Sequence, residues 1–206
     1  MLEITDLTCT RGDRQLFTGL DFSLESGALL YVKGQNGCGK TTLLRAICGL
    51  FLPESGEIRW NGEDIRTLSD DYHREILYFG HHNGIKGDLT SVENLRINSR
   101  LSGYDASDKE IWVALERMGL YGFEDLPTRV LSQGQKRRAA LARLLLTHSK
   151  LWILDEPFSA LDVGAVEHLQ EVIANHIAVG GMAILTTHQE VDLTSGHAEH
   201  LQLDAA

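Results

Sequence analysis

The residues best placed to do chemistry are Gly34, Gln35, Asn36, Gly37, Cys38, Gly39, Lys40, Thr41 and Thr42, which match the phosphate-loop pattern G-x-x-x-x-G-K-[ST]. Glycines at such a turn let backbone N–H groups point inward and close on phosphate oxygens. Lys40 would bring a point charge to the β- and γ-phosphates, and the Thr41 hydroxyl could ligate Mg²⁺. The segment follows the apolar run Ala28-Leu-Leu-Tyr-Val32 and opens a stretch with Leu43, Leu44 and Ile47 at helical spacing. Strand, glycine turn and helix are the context the pattern requires, and they argue against a turn that binds nothing. Cys38 lies near the helix N-terminus, which favours a thiolate, but its simpler role is a small spacer that contributes a backbone amide.

Three further stretches could join such a site. In Leu151-Trp-Ile-Leu-Asp155-Glu156, an aspartate at a strand end could hold the shell of a Mg²⁺ ion and the next glutamate could polarise a water for in-line attack. Alone that signal is weak, because apolar strands often end in acidic residues. In Leu131-Ser132-Gln133-Gly134-Gln135, a hydroxyl and glycine amides at the start of a helix make an anion site. The following Lys136, Arg137 and Arg138 read as a solvated basic face. In Tyr78-Phe79-Gly80-His81-His82-Asn83-Gly84, adjacent imidazoles could ligate a metal or haem, act as an acid–base pair, or be plain loop residues. Successive residues of an extended chain point to opposite faces and do not easily share one ion, which argues against ligation.

The elements that must position these residues follow from hydrophobic patterning. Leu2–Cys9, the run Leu16–Ser26 and Ala28–Gly34 read as strands, as do Gly56–Gly62 and Arg74–Gly80. Three helix-period stretches fall within residues 85–150, which predicts a helical insert there. Strand, amphipathic helix and strand then return in Lys150–Glu156, Gly164–Ala178 and Gly181–His188, with Val166, Leu169, Ile173 and Ile177 on one helix face. Strands separated by helices predict an α/β fold with a mainly parallel sheet.

The 206 residues suffice for one compact domain with a small attached part. The formal charge of −10 argues against a broad grip on nucleic acid. The three cysteines, Cys9, Cys38 and Cys48, lack metal-ligand spacing and fit a reducing, cytoplasmic setting. No apolar run approaches the roughly 20 residues that span a bilayer, so a membrane role would be carried by a partner.

Taken in order, the Gly34–Thr42 loop, Leu131-Ser-Gln-Gly-Gln135, Leu151–Glu156, Ser159-Ala-Leu-Asp162 and His188 in Thr186-Thr-His-Gln189 resemble the ATP-binding subunits of ATP-binding-cassette (ABC) transporters. The resemblance covers essentially the whole chain, residues 1–206, as a single ABC domain with 85–150 as its helical subdomain. It implies a P-loop NTPase fold with a RecA-like parallel-sheet core, an antiparallel β subdomain and that helical part. It implies ATP and Mg²⁺ as cofactors, with Thr41 and Asp155 at the metal. Two copies would pair head to tail, so that Ser132, Gly134 and Gln135 of one face the γ-phosphate held by Lys40 of the other. Glu156 would be the general base, His188 would contact the γ-phosphate, and Asp162 would link the two sites.

Three positions depart from the family pattern. Gln133 replaces a glycine of the signature; Arg11 stands where an aromatic usually stacks on adenine, and a guanidinium can stack there too. His81 stands at the glutamine that touches Mg²⁺ and the attacking water. A neutral imidazole could hydrogen-bond the same water, while carrying a proton that glutamine lacks. His81 and the wording around it resemble the subgroup that serves cytochrome c maturation. That implies membrane subunits of the CcmB and CcmC type, haem export or release of the haem-loaded chaperone CcmE, and a peripheral place on the cytoplasmic face of the inner membrane. Export of a lipoprotein, peptide or drug is the competing cargo. ABC ATPases of DNA repair are a separate class, but they carry long insertions, whereas about 50 residues separate Gly84 from Ser132.

Overall fold

The computed structural model describes residues 1–187 and 197–203. The chain opens with β1 (Leu2–Arg11) and β2 (Arg14–Leu24), then β3 (Ala28–Lys33), α1 (Lys40–Ile47), β4 (Ser55–Trp60) and the two-residue β5 (Glu63–Asp64). Short helices α2 (Ile65–Leu68) and α3 (Asp70–Glu75) lead to β6 (Ile76–Phe79). Helices α4 (Ser91–Leu101), α5 (Asp108–Arg117) and α6 (Gln133–Leu141) follow, then β7 (Leu151–Asp155), α7 (Val163–Ala178), β8 (Met182–Thr186) and β9 (His197–Gln202).

Two sheets form. One is antiparallel, in the order β2-β1-β4-β5, and the other has five strands in the order β6-β7-β8-β3-β9. In the second, β3 pairs in parallel with β8 and β9, and β7 with β8. The difference is written in the residues. β7 and β8 are buried at every position, as a strand covered on both faces must be, whereas β1 alternates, with Leu2, Ile4, Leu7 and Cys9 turned inward. The parallel sheet, the antiparallel sheet and the helices agree with the expected architecture. α2, α3 and β5 carry too few residues for a period to register, and β9, His-Ala-Glu-His-Leu-Gln, has too few apolar residues to read as a strand.

The described chain falls into two compact units. The first comprises Met1–Tyr78, Ser149–Glu156 and Ala174–Ala206; the second comprises Phe79–His148 and Pro157–Ile173. The core of the first gathers Leu2, Leu30, Leu43, Ile47, Trp60, Tyr72, Ile153 and Ile184. In the second, three helices start on reciprocal capping boxes: Thr90 with Glu93 for α4, Ser107 with Glu110 for α5, and Ser132 with Gln135 for α6. Each box satisfies orphan amides at a helix start, which sharpens where these helices begin. Among the described residues no helix is long and apolar enough to cross a membrane.

Candidate functional site

In the first unit the loop between β3 and α1 closes tightly. Gly34 has φ +151°, and a Cβ there would lie 2.5 Å from the Leu203 carbonyl oxygen and 2.6 Å from Cys38 Sγ. Only glycine fits so close an approach. Cys38 is 1% exposed, its thiol folded inside the loop. Gly39, at φ +110°, precedes α1 and supplies no side-chain cap, so the first amides of the helix have no side-chain acceptor. Lys40 Nζ donates to the carbonyls of Gly34 at 2.7 Å and Gln35 at 3.1 Å, which holds the ammonium over the loop. A cavity of about 200 Å³ opens here, lined among others by Arg11, Asn36, Lys40, Thr41, Thr42 and Glu156. Arg11, Gln35, Asn36, Gly37 and Thr41 are exposed, whereas Lys40 and Cys38 are buried.

The acidic end of β7 is held from two sides. The Thr41 hydroxyl donates to Asp155 Oδ2 at 2.8 Å, and the Thr186 hydroxyl donates to Asp155 Oδ1 at 2.8 Å. Thr186 Oγ1 in turn accepts from the Glu156 backbone N–H at 2.9 Å. Glu156 has φ +50°, a left-handed conformation costly for a side chain with a Cβ, and the bond from Thr186 helps to hold it. The motif Thr186-Thr-His-Gln189 pointed to His188 and gave Thr186 no role of its own. Its signal was a polar residue closing an apolar strand, and it sits opposite Asp155 in the β7–β8 register. Thr41 and Asp155 fit a Mg²⁺ ion, since the two hard oxygen donors lie 2.8 Å apart.

The second unit carries the remaining predicted residues apart from His188. Ser132 caps α6, its hydroxyl accepting from the Gln135 N–H at 3.2 Å while Gln135 Oε1 accepts from the Ser132 N–H at 2.9 Å. Ser132 is exposed at that helix start, with Gly134 and Gln135 half-buried behind it. Asp162 caps α7, its Oδ1 accepting from the Ala165 N–H at 2.9 Å. His81 and His82 are both exposed, their rings edge to face at 5.6 Å. Among the described residues no group of three or more His, Cys, Asp or Glu could hold a metal ion. His188 lies outside the described residues.

The basic triplet after the signature is not a solvated face. Arg137 is 3% exposed, its guanidinium 4.4 Å from the centre of the Phe79 ring. Arg138 is half-buried and donates to the carbonyls of Met118 and Gly119, and Lys136 donates to that of Arg129. The signal was available. Arg137 shares a helical face with Ala140, Leu141 and Leu144, all buried, so the period of α6 turns it inward.

A family model described as ABC transporter matches residues 17–159. The chain belongs to the ABC transporter family. This ABC cassette is 54% identical over 202 residues to the cytochrome c biogenesis ATP-binding export protein CcmA of Nitrosospira multiformis, covering 98% of each chain. Among solved structures it is similar to an ABC transporter ATP-binding protein of Pyrococcus furiosus described as putative, with a TM-score of 0.84 and 28% identity over 97% of this chain and 96% of that one. A bacterial ABC transporter cassette solved as a dimer shares the fold, with a TM-score of 0.86 and 22% identity, over 100% of this chain and 96% of its own. The cassette is therefore an ATP-binding subunit of the ABC ATPase class, and close resemblance to CcmA sets it apart from other members.

Proposed function

We propose that the cassette hydrolyses ATP to drive a membrane transporter of cytochrome c biogenesis, exporting haem or releasing haem-loaded CcmE through CcmB-like and CcmC-like subunits. The 54% identity over 98% of the chain to a protein named for cytochrome c biogenesis export supports the process served. The cavity bounded by Lys40, Thr41 and Glu156 supports the chemistry. ATP would lie with its phosphates on the Gly34–Thr42 amides and its base over Arg11. Thr41 and Asp155 would hold Mg²⁺, which supplies charge neutralisation of the β- and γ-phosphates. The Glu156 carboxylate takes the proton of the attacking water as its oxygen bonds to the γ-phosphorus, and ADP leaves in line. Lys40 moves from its loop carbonyls to the phosphate oxygens, exchanging neutral acceptors for charged ones.

Ser132, Gly134 and Gln135 of a second copy would close on the same γ-phosphate, with His188 contacting it and His81 orienting the water as the family glutamine does. Asp162 would tie one site to the other. We assign the helical part, 85–150, to the grip on the membrane subunits at the cytoplasmic face of the inner membrane. Pull-down from solubilised membranes tests the assignment, with integral subunits of the CcmB and CcmC type expected in the eluate. Deletion is expected to abolish mature c-type cytochromes. Intact cytochromes with defective lipoprotein release would overturn the cargo while leaving the ATPase in place.

A further inference from the structure

Within the second unit, Arg137 joins three segments that lie far apart in the chain. Its Nη1 donates to the His81 carbonyl oxygen at 3.3 Å and to Asn83 Oδ1 at 3.0 Å. Its Nε approaches the carbonyl oxygen of Pro157, the residue after Glu156, at 3.4 Å. Its guanidinium lies over Phe79, which leads into the His81 loop, and Arg143 lies over the same ring at 4.8 Å. The residue sits in the second turn of α6, whose first turn carries Gly134 and Gln135.

A guanidinium is the one side chain suited to this place. It is planar, permanently charged and forked, so one rigid group can serve acceptors from several directions while its face packs on an aromatic ring. A lysine ammonium would keep the charge but has no plane to stack and no fork to span the loop. A cation buried to 3% exposure is costly unless satisfied, so the loop and the helix are bound to one arrangement of their acceptors.

We propose that Arg137 is a positioning residue that makes the His81 loop and the signature helix move as one piece, so that engagement of Ser132 by nucleotide is felt at His81 and at the backbone following Glu156. The role assumes, as proposed above, that the cassette hydrolyses ATP and that His81 orients the water.

Steady-state ATP hydrolysis by the full chain in its membrane complex tests this with Arg137→Lys, Asn83→Ala, His81→Ala and the double variant Arg137→Lys/His81→Ala. Arg137→Lys is expected to lower kcat on the order of 10- to 100-fold through misplacement of reacting groups, with ATP KM within about threefold. Asn83→Ala, which removes one acceptor only, is expected to lower kcat in the same direction by a smaller factor. The double variant is expected to lose no more than the worse single one, because both changes act through one loop. Wild-type kcat in Arg137→Lys, or losses that multiply in the double variant, would overturn the inference. If Arg137→Lys does not fold, wild-type kcat in Asn83→Ala overturns it alone. A wild-type complex that hydrolyses no ATP overturns the ATPase assignment and the inference with it; a hydrolysing wild type matched by Arg137→Lys overturns only the inference.

Discussion

Asp155 is the residue on which the site turns. Each of its oxygens accepts a threonine hydroxyl, Thr41 on one side and Thr186 on the other, and the second threonine also binds the Glu156 amide. Thr186 is fully buried, so replacing it with valine strands two polar groups at nearly constant volume. Thr186→Val is expected to destabilise by about 1–3 kcal/mol in urea unfolding and to slow turnover by letting Glu156 leave its left-handed conformation, whereas Thr186→Ser should restore both. Equal unfolding midpoints for wild type and Thr186→Val would show that the bonds contribute nothing net. Glu156→Gln would remove the proposed base without changing shape. ATP binding should survive while phosphate release falls on the order of 10²- to 10⁴-fold. His81→Gln should keep most activity in steady-state hydrolysis; complete loss would mean the imidazole does something an amide does not.

Among the elements, α5 shows how a helix start becomes sensitive to pH. The Glu110 carboxyl is held down to about 2 from an ordinary 4.5, first by the Ser107 hydroxyl, then by the Tyr104 hydroxyl and the Ser107 N–H. A carboxyl depressed in the folded state stabilises fully above its unfolded value and loses that contribution as pH falls through its folded one. The Tm advantage of wild type over Glu110→Gln should therefore hold above pH 4.5 and vanish as pH falls toward 2. An advantage unchanged across that window would assign the effect to packing. The same capping pattern recurs in Thr90-x-x-Glu93 and Ser132-x-x-Gln135, a signal of residues three apart, although only the helical period pointed to these helices in the sequence. Strands β3, β7 and β8 were legible for a related reason: continuous apolar runs leave no polar face to expose.

At the scale of the molecule, the proposed head-to-tail arrangement predicts a pair that forms with ATP and parts without it. Glu156→Gln with ATP and Mg²⁺ should run at twice its monomer mass in light scattering and return to monomer on nucleotide removal; a monomer at every ATP concentration would overturn the head-to-tail arrangement. Local order along the chain was enough to announce the phosphate loop, since glycines at fixed offsets from a lysine bend the backbone into an anion cradle whatever surrounds it. It was also enough to announce the parallel strands and, by their period, the helices. It could not announce that Arg137 is buried against the His81 loop or that Thr186 stands between Asp155 and Glu156. Those bonds join residues 54 to 56 positions apart in the first case and 30 to 31 in the second. Burial and hydrogen bonding between distant segments depend on how the packed elements meet, and a basic triplet or a strand-end threonine reads the same in sequence whether it meets solvent or a buried partner.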